Sequence, residues 1–217
     1  MIVYTFPPLK EEVVESRPNR FVVVTGSGRL CHLHDPGRLK ELIYRGNKVL
    51  VRETQGKRKT SCQVTAAWSG NEWVLTDSSI HNEIARKFLP PDAKAEVKVG
   101  RSRVDFMFDN TFAEVKGCTL VKDGKALFPD APTKRGKRHL EELIELKKEG
   151  YSALLLVLVF RSDAVCFSPN FDTDKCFSMT FIRALREGVR VEVKTFYLKD
   201  GKLYYKGDIP LCQGIMG

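Results

Sequence analysis

The sequence predicts a mixed α/β protein: a small β-barrel of the OB type over residues 1–76, then a mixed sheet flanked by helices over residues 77–217. Three observations carry this. The first 76 residues hold short segments rich in Val, Thr, Leu and aromatics, separated by Gly, Ser and Asn. From Asp77 onward, apolar residues at helical spacing alternate with strand-like runs. Residues 153–160 read ALLLVLVF, apolar on both faces, as a central strand covered by helices must be.

Taken in order, strands are expected at 20–25, 29–34, 47–53, 60–68 and 72–76. Between the second and third, Asp35 caps a short helix with Pro36 in its first position, burying Leu39, Leu42 and Ile43 and stopping at Gly46. Five strands and one small helix in so short a span suggest an OB-type barrel, a pattern that other small barrels and sandwiches share. Asp77 or Ser78 then caps a helix carrying Ile80, Ile84 and Phe88 on one face, ended by Pro90-Pro91. Strands follow at 95–99, 103–108 and 111–116, with another at 119–122. Thr133 opens a long helix with Leu140, Leu143 and Ile144 on one face, ending near Gly150. A helix at 179–187 and a strand at 190–198 complete an α-β-β-β-α-β-α-β order.

Composition narrows the function. Thirty-six Lys and Arg against 27 Asp and Glu give 36 − 27 = +9, spread over both halves. Such an excess points toward a polyanionic partner. A 42% hydrophobic fraction with 10 Pro and 16 Gly excludes a disordered or fibrous chain. The longest apolar run is far too short to cross a bilayer, and residues 1–9 lack the basic flank and apolar stretch of a signal peptide. The expectation is a soluble, cytoplasmic protein without a membrane partner. The six cysteines are scattered, with no CxxC pair, and read as small buried hydrophobes, with one disulfide if the source is a hyperthermophile. Only 3 Gln and 6 Asn beside 29% charged residues lean that way.

The stretch from Arg103 to Lys116 carries the chemistry. If Asp109-Asn110 forms a two-residue turn, Phe108 pairs with Thr111 and Asp105 stands opposite Glu114. Two carboxylates roughly 4.5–5.5 Å apart destabilise a sheet unless a cation lies between them. Lys116, two residues beyond Glu114, shares their face. A divalent ion, Mg²⁺ or Mn²⁺, held by Asp105, Glu114 and the Val115 carbonyl, with Lys116 beside a metal-bound water, is what phosphodiester hydrolysis requires. The alternative is a surface hairpin whose outward Arg103, Asp105, Glu114 and Lys116 form solvated ion pairs. The hairpin's place directly after a helix matches a restriction-endonuclease-like core.

Lys134, Arg135, Lys137, Arg138 and the helix N-terminus behind them make a phosphate-binding surface, with His139 contacting a phosphate or assisting proton transfer. Lys57, Arg58 and Lys59 precede a strand and would track a nucleic-acid backbone from a loop; a charged hairpin tip is the plainer alternative. His32, His34 and Asp35 are either metal ligands or half-buried polar residues.

Over essentially its whole length the chain resembles the sugar fermentation stimulation protein A family. The resemblance rests on His34-Asp-Pro-Gly-Arg-Leu-Lys-Glu-Leu42, Lys57-Arg-Lys59, Asn82, Glu96-Val-Lys-Val-Gly100, Ser102-Arg-Val-Asp-Phe106, Glu114-Val-Lys116, Phe128-Pro-Asp-Ala131 and Thr133-Lys-Arg-Gly-Lys-Arg-His-Leu-Glu-Glu-Leu143. It implies an N-terminal OB domain, a PD-(D/E)xK nuclease-like domain, and non-specific DNA binding linked to sugar-utilisation genes. Its nuclease-type residues fall on Asp105, Glu114 and Lys116, with Arg38, Asn82 and Glu96 in supporting places and Arg103 toward nucleic acid. Asn82 stands where many nucleases of the wider superfamily carry Glu on the first core helix. Two functions therefore compete: a metal-dependent nuclease, and a DNA-binding regulator that keeps the fold without turnover.

Overall fold

The computed structural model describes residues 1–54, 59–100 and 102–215. The first strands are β1 (Ile2–Thr5), β2 (Lys10–Asn19), β3 (Val22–Thr25), β4 (Leu30–Leu33), β5 (Lys48–Glu53), β6 (Cys62–Trp68) and β7 (Trp73–Leu75). β2 pairs with β3 and β5, β5 with β6, and β4 with both β3 and β6, which closes a five-stranded barrel. Side-chain alternation sends Val14, Val23, Cys31, Leu33, Val51 and Val64 into its interior.

Two expectations are corrected here. β2, the barrel's longest strand, was missing from the sequence reading, because its exposed positions mix charged, polar and apolar residues without clean alternation and Pro18 interrupts it. The helix expected between Asp35 and Gly46 is absent. Only one turn forms, with the Ile43 amide donating to the Leu39 carbonyl at 2.7 Å and Leu39 at φ 47°. The Leu39 amide instead donates to Asp130 Oδ2 at 3.2 Å, a contact 91 residues away that overrides helix propensity. Leu39, Leu42 and Ile43 are nonetheless buried as expected.

A 3₁₀ turn at Ser78–Ile80 leads into α1 (His81–Arg86). Then come β8 (Lys94–Val99), β9 (Ser102–Phe108), β10 (Thr111–Cys118), β11 (Val121–Lys122), β12 (Lys125–Phe128), α2 (Lys134–Lys148), β13 (Ser152–Val159), β14 (Cys166–Pro169), α3 (Lys175–Arg186), β15 (Arg190–Lys199) and β16 (Lys202–Asp208). The expected order is extended by β12, β14 and β16. The sheet runs β7-β15-β13-β10-β9-β8, with β10, β13 and β15 parallel, while β16 lies against β15 and β1 against β16. β11, β12 and β14 form a separate small sheet.

The central strand β13 is buried on both faces, as its run of apolar residues requires. Leu155, Val157 and Val159 meet Leu140, Leu143 and Ile144 of α2 and Phe177 and Phe181 of α3. Leu154, Leu156 and Leu158 join Ile84 and Ala85 of α1 in one continuous core with the barrel interior. Thr133 caps α2 by accepting from the Gly136 amide at 3.0 Å, and Asp174 caps α3 while also accepting from the Thr133 amide at 2.8 Å. That shared carboxylate fixes both helix starts beside the loop of residues 128–133. Among the described residues, no helix is long and apolar enough to cross a membrane.

The cysteine expectation is also corrected. Cys31 bonds Cys62, directly opposite it in the β4–β6 register, and Cys166 bonds Cys212, so there are two disulfides rather than at most one. Cys118 and Cys176 are free, and only Cys118 is a small buried hydrophobe.

Candidate functional site

The β9–β10 hairpin turns at Asp109-Asn110, with Asp109 at φ 47°. Phe108 pairs with Thr111, Met107 with Phe112 and Phe106 with Ala113, so the same register sets Asp105 opposite Glu114. There the backbone ladder stops. Asp105 turns its Oδ2 onto the Val115 amide at 2.8 Å, and Asn82, on α1, donates through Nδ2 to Asp105 Oδ1 at 3.2 Å. Asn82 also reaches Glu96 Oε1 at 3.4 Å and so ties a third, exposed carboxylate to the group. At Val115, the contact the structure supplies is this amide, where the sequence reading had named the carbonyl.

Glu114 is 3% exposed. Lys116 Nζ and His139 Nδ1 both donate to the same oxygen, Oε1. With its proton on Nδ1, His139 presents Nε2 as an acceptor, which Arg135 Nε approaches at 3.4 Å. The result is a chain of contacts from Arg135 through His139 and Glu114 to Lys116. Burial alone would raise the Glu114 carboxyl, but the Lys116 ammonium and the His139 bond outweigh it and hold the group below its ordinary value. Asp105 goes the other way, raised by burial and by the Glu114 charge against weaker opposition from the Val115 amide, Lys116 and Asn82. The two carboxylates thus differ: Glu114 is held charged, and Asp105 carries repulsion that its partners offset only in part.

A cavity of about 690 Å³ opens over these groups. Its walls include Asn82, Asp105, Glu114, Lys116 and His139 on one side, Lys134 and Arg135 at the start of α2, and Arg20, His34 and Asp35 from the barrel. The other nominated residues lie elsewhere. Lys137 and Arg138 pair along α2 with Glu141 at 3.4 Å and Glu142 at 3.5 Å. Arg103 is exposed on β9 opposite Lys98, and Arg38 is exposed, its carbonyl accepting from Arg17. Lys59 is exposed at the end of its loop, while Lys57 and Arg58 lie outside the described residues. His32 and His34 pack ring against ring, and among the described residues no three of His, Cys, Asp and Glu group as a metal site, His32, His34 and Asp35 included.

The sequence reading missed His81. It is half-buried, stacked on Phe160 with ring centroids 4.9 Å apart, and its buried Nε2 has no partner among the described residues. Burial, helped by His34 and Lys116, pushes its pKa down to about 3, so the ring is neutral. Gly117, next to Lys116, exists to admit it. A Cβ there would enter the imidazole, 2.7 Å from Nδ1 and closer still to Cε1. Gly117→Ala is therefore expected to cost about 1–3 kcal/mol or more by overpacking. Adding His81→Ala should return part of that loss, and urea unfolding of the four proteins in the cycle reads the coupling. Additive losses would show that the two residues do not share the space.

Asp35 and Asp130 meet at Gly37. Asp35 Oδ1 accepts from the Gly37 amide at 2.6 Å, and Asp130 holds Leu39. Burial, together with the Asp130 charge, raises Asp35 from 3.8 to about 7 despite the Gly37 bond. Because the folded value lies above the unfolded one, the folded protein holds this proton more tightly. The corresponding stability is complete below 3.8 and disappears as pH rises through about 7. Asp35→Asn keeps the acceptor without the charge. Its Tm should match wild type near pH 4 and exceed it near pH 8, whereas parallel curves would mean that Asp35 ionises without cost.

Two family models match the chain. The family model for the sugar fermentation stimulation protein RE domain matches residues 72–202, and that for the SfsA N-terminal OB domain matches residues 16–76. The sugar fermentation stimulation protein homolog of Sulfurisphaera tokodaii is 72% identical over 216 residues, covering 100% of this chain and 96% of that protein. The homolog of Saccharolobus solfataricus is 54% identical, covering 97% and 89%. Among solved structures, Pyrococcus furiosus SfsA in complex with Ca²⁺ superposes with a TM-score of 0.89 at 24% identity, covering 98% of this chain and 99% of that one.

Proposed function

Since the chain belongs to the sugar fermentation stimulation protein family, we propose that it is a DNA-binding protein with a divalent-metal-dependent phosphodiester-hydrolysing site at Asp105, Glu114 and Lys116. The observation that carries this reading is the pairing of two largely buried carboxylates across one hairpin beneath a cavity that Lys134, Arg135 and Arg20 also line. A protein that only grips phosphate has no use for that pair, which repels it.

The residues suit a hard cation. Asp105 and Glu114 offer carboxylate oxygen, Asn82 offers amide oxygen once turned, and Asp105 is under repulsion that a cation would relieve. The Pyrococcus furiosus relative is described with Ca²⁺, which supports a hard divalent ion here. Bound Mg²⁺ or Mn²⁺ would neutralise the scissile phosphate and acidify a coordinated water. The protein's own side chains supply the rest. Lys116 holds Glu114 in place and directs its ammonium to the attacking water. His139, locked by Arg135 and Glu114, fixes the position of Lys116. Lys134, Arg135 and the N-terminus of α2 receive the phosphate.

The regulator reading without turnover draws on Asn82, an amide where an acidic ligand would complete the metal set. Labelled single-stranded, duplex and structured DNA and RNA, incubated with Mg²⁺, Mn²⁺ or EDTA, separate the two. Metal-dependent cleavage that EDTA stops is expected; no cleavage of any substrate leaves the regulator. Either way, binding should fall steeply with salt, with a log-log slope of several units, because each neutralised phosphate releases counterions. Affinity that is flat between low and moderate salt would remove the nucleic-acid reading.

A further inference from the structure

The barrel carries an aromatic row that the metal site does not use. β4 sends Cys31 and Leu33 inward, so Leu30, His32 and His34 point outward in line. Phe21, from the β2–β3 turn, lies over His32 with ring centroids 6.5 Å apart and planes 29° apart, and His32 meets His34 edge-on at 5.6 Å. Phe21 is 47% exposed and Leu30 44%, and they sit on the same outward face as the two histidine rings. The backbone of Phe21 is fixed at both ends: its amide donates to Asn19 Oδ1 at 2.9 Å, and its carbonyl accepts from the Leu33 amide at 2.9 Å. A large exposed ring on a pinned backbone is a presented surface rather than a loose one.

The row also has direction. At one end the Ser61 amide donates to the Leu30 carbonyl at 3.0 Å, two residues from the exposed Lys59. At the other end His34 and Arg20 are walls of the cavity over Asp105 and Glu114. We propose that this row is a stacking platform for the bases of an unpaired nucleic-acid strand, which it leads from the Leu30 end into the cavity. The inference rests on the nucleic-acid reading above and specifies its substrate as a strand that is single over this stretch. Outward residues two apart along a strand are separated by about 6.6 Å, twice the ~3.4 Å between stacked bases of a duplex strand, so only bases free of their neighbours match the row. Aromatic faces with flanking cations are how such strands are held without sequence preference.

The test is binding in EDTA, where cleavage cannot interfere. Wild type should bind oligo-dT more tightly than a strand of the same length with abasic sites, and oligo-rU should show whether ribose is accepted on the same platform. Phe21→Ala and His32→Ala should each lower oligo-dT affinity about tenfold, erase the preference over the abasic strand, and leave duplex affinity within about twofold. Phe21→Trp should retain the preference and show fluorescence quenching on oligo-dT. Equal wild-type affinity for oligo-dT and its abasic counterpart would overturn the platform while the phosphate-binding reading stands. Equal losses on duplex and single strand would overturn it too. A wild type that binds no nucleic acid at all would overturn both.

Discussion

Lys116→Met is expected to lower cleavage with Mn²⁺ by about 10²–10⁴-fold, the range for a group that handles the reacting proton, while affinity falls only slightly because one phosphate contact among many is lost. Lys116 is half-buried and holds Glu114, so its removal also leaves that buried carboxylate with His139 alone. Folding of this variant must be checked. Asp105→Asn provides the independent arm. It removes the carboxylate that burial and Glu114 penalise, so the metal-free protein should melt higher than wild type, and each ~1 kcal/mol gained moves Tm by roughly 2–4 °C. The same change should abolish cleavage and the rise in Tm on adding Mn²⁺, and it should tighten metal-free DNA binding by removing a negative charge. Cleavage that persists unchanged in both variants would come from a contaminant and would end the assignment.

Reduction of the disulfides should give the largest stability change. They close loops of 31 and 46 residues, for which chain entropy alone implies about 3–4 kcal/mol each. At roughly 2–4 °C per kcal/mol, reducing both should lower Tm by well over 10 °C. The two contributions separate by position. Cys31→Ala with Cys62→Ala opens the barrel between β4 and β6, the platform strand included, whereas Cys166→Ala with Cys212→Ala frees the C-terminal segment from β14. Thiol titration of unfolded, unreduced protein should find two thiols, Cys118 and Cys176. Six titrating thiols, or identical melting with and without reductant, would refute the pairing.

What could be read in advance was local. The turn at Asp109-Asn110, the register that sets Asp105 against Glu114, the cap at Thr133 and the buried run in β13 are all fixed by residues a few positions apart. What could not be read depends on distant partners. The turn after Asp35 has good helix residues, yet Asp130 takes the Leu39 amide. His81 is placed by a missing side chain at Gly117, thirty-six positions on, and a glycine beside Lys116 was the one available sign of it. β2 hid because its exposed residues run from Lys10 and Glu11 through Val13 and Ser16 to Pro18 with no clean alternation. Of the basic residues nominated for phosphate, sequence could not tell Arg135, drawn in by His139, from Lys137, drawn away by Glu141.

The pairing of β1 with β16 bears on how the protein is made. Ile2 to Thr5 find their partners at 202–204, so β1 has no place to go until β16 has emerged. At 5–20 residues per second the delay is roughly 10–40 s. The barrel's own strands need nothing beyond Trp68 and can close meanwhile, leaving Ile2 and Val3 as an unpaired edge on the ribosome. β1 therefore acts as a late latch, and its engagement reports that β16 has arrived.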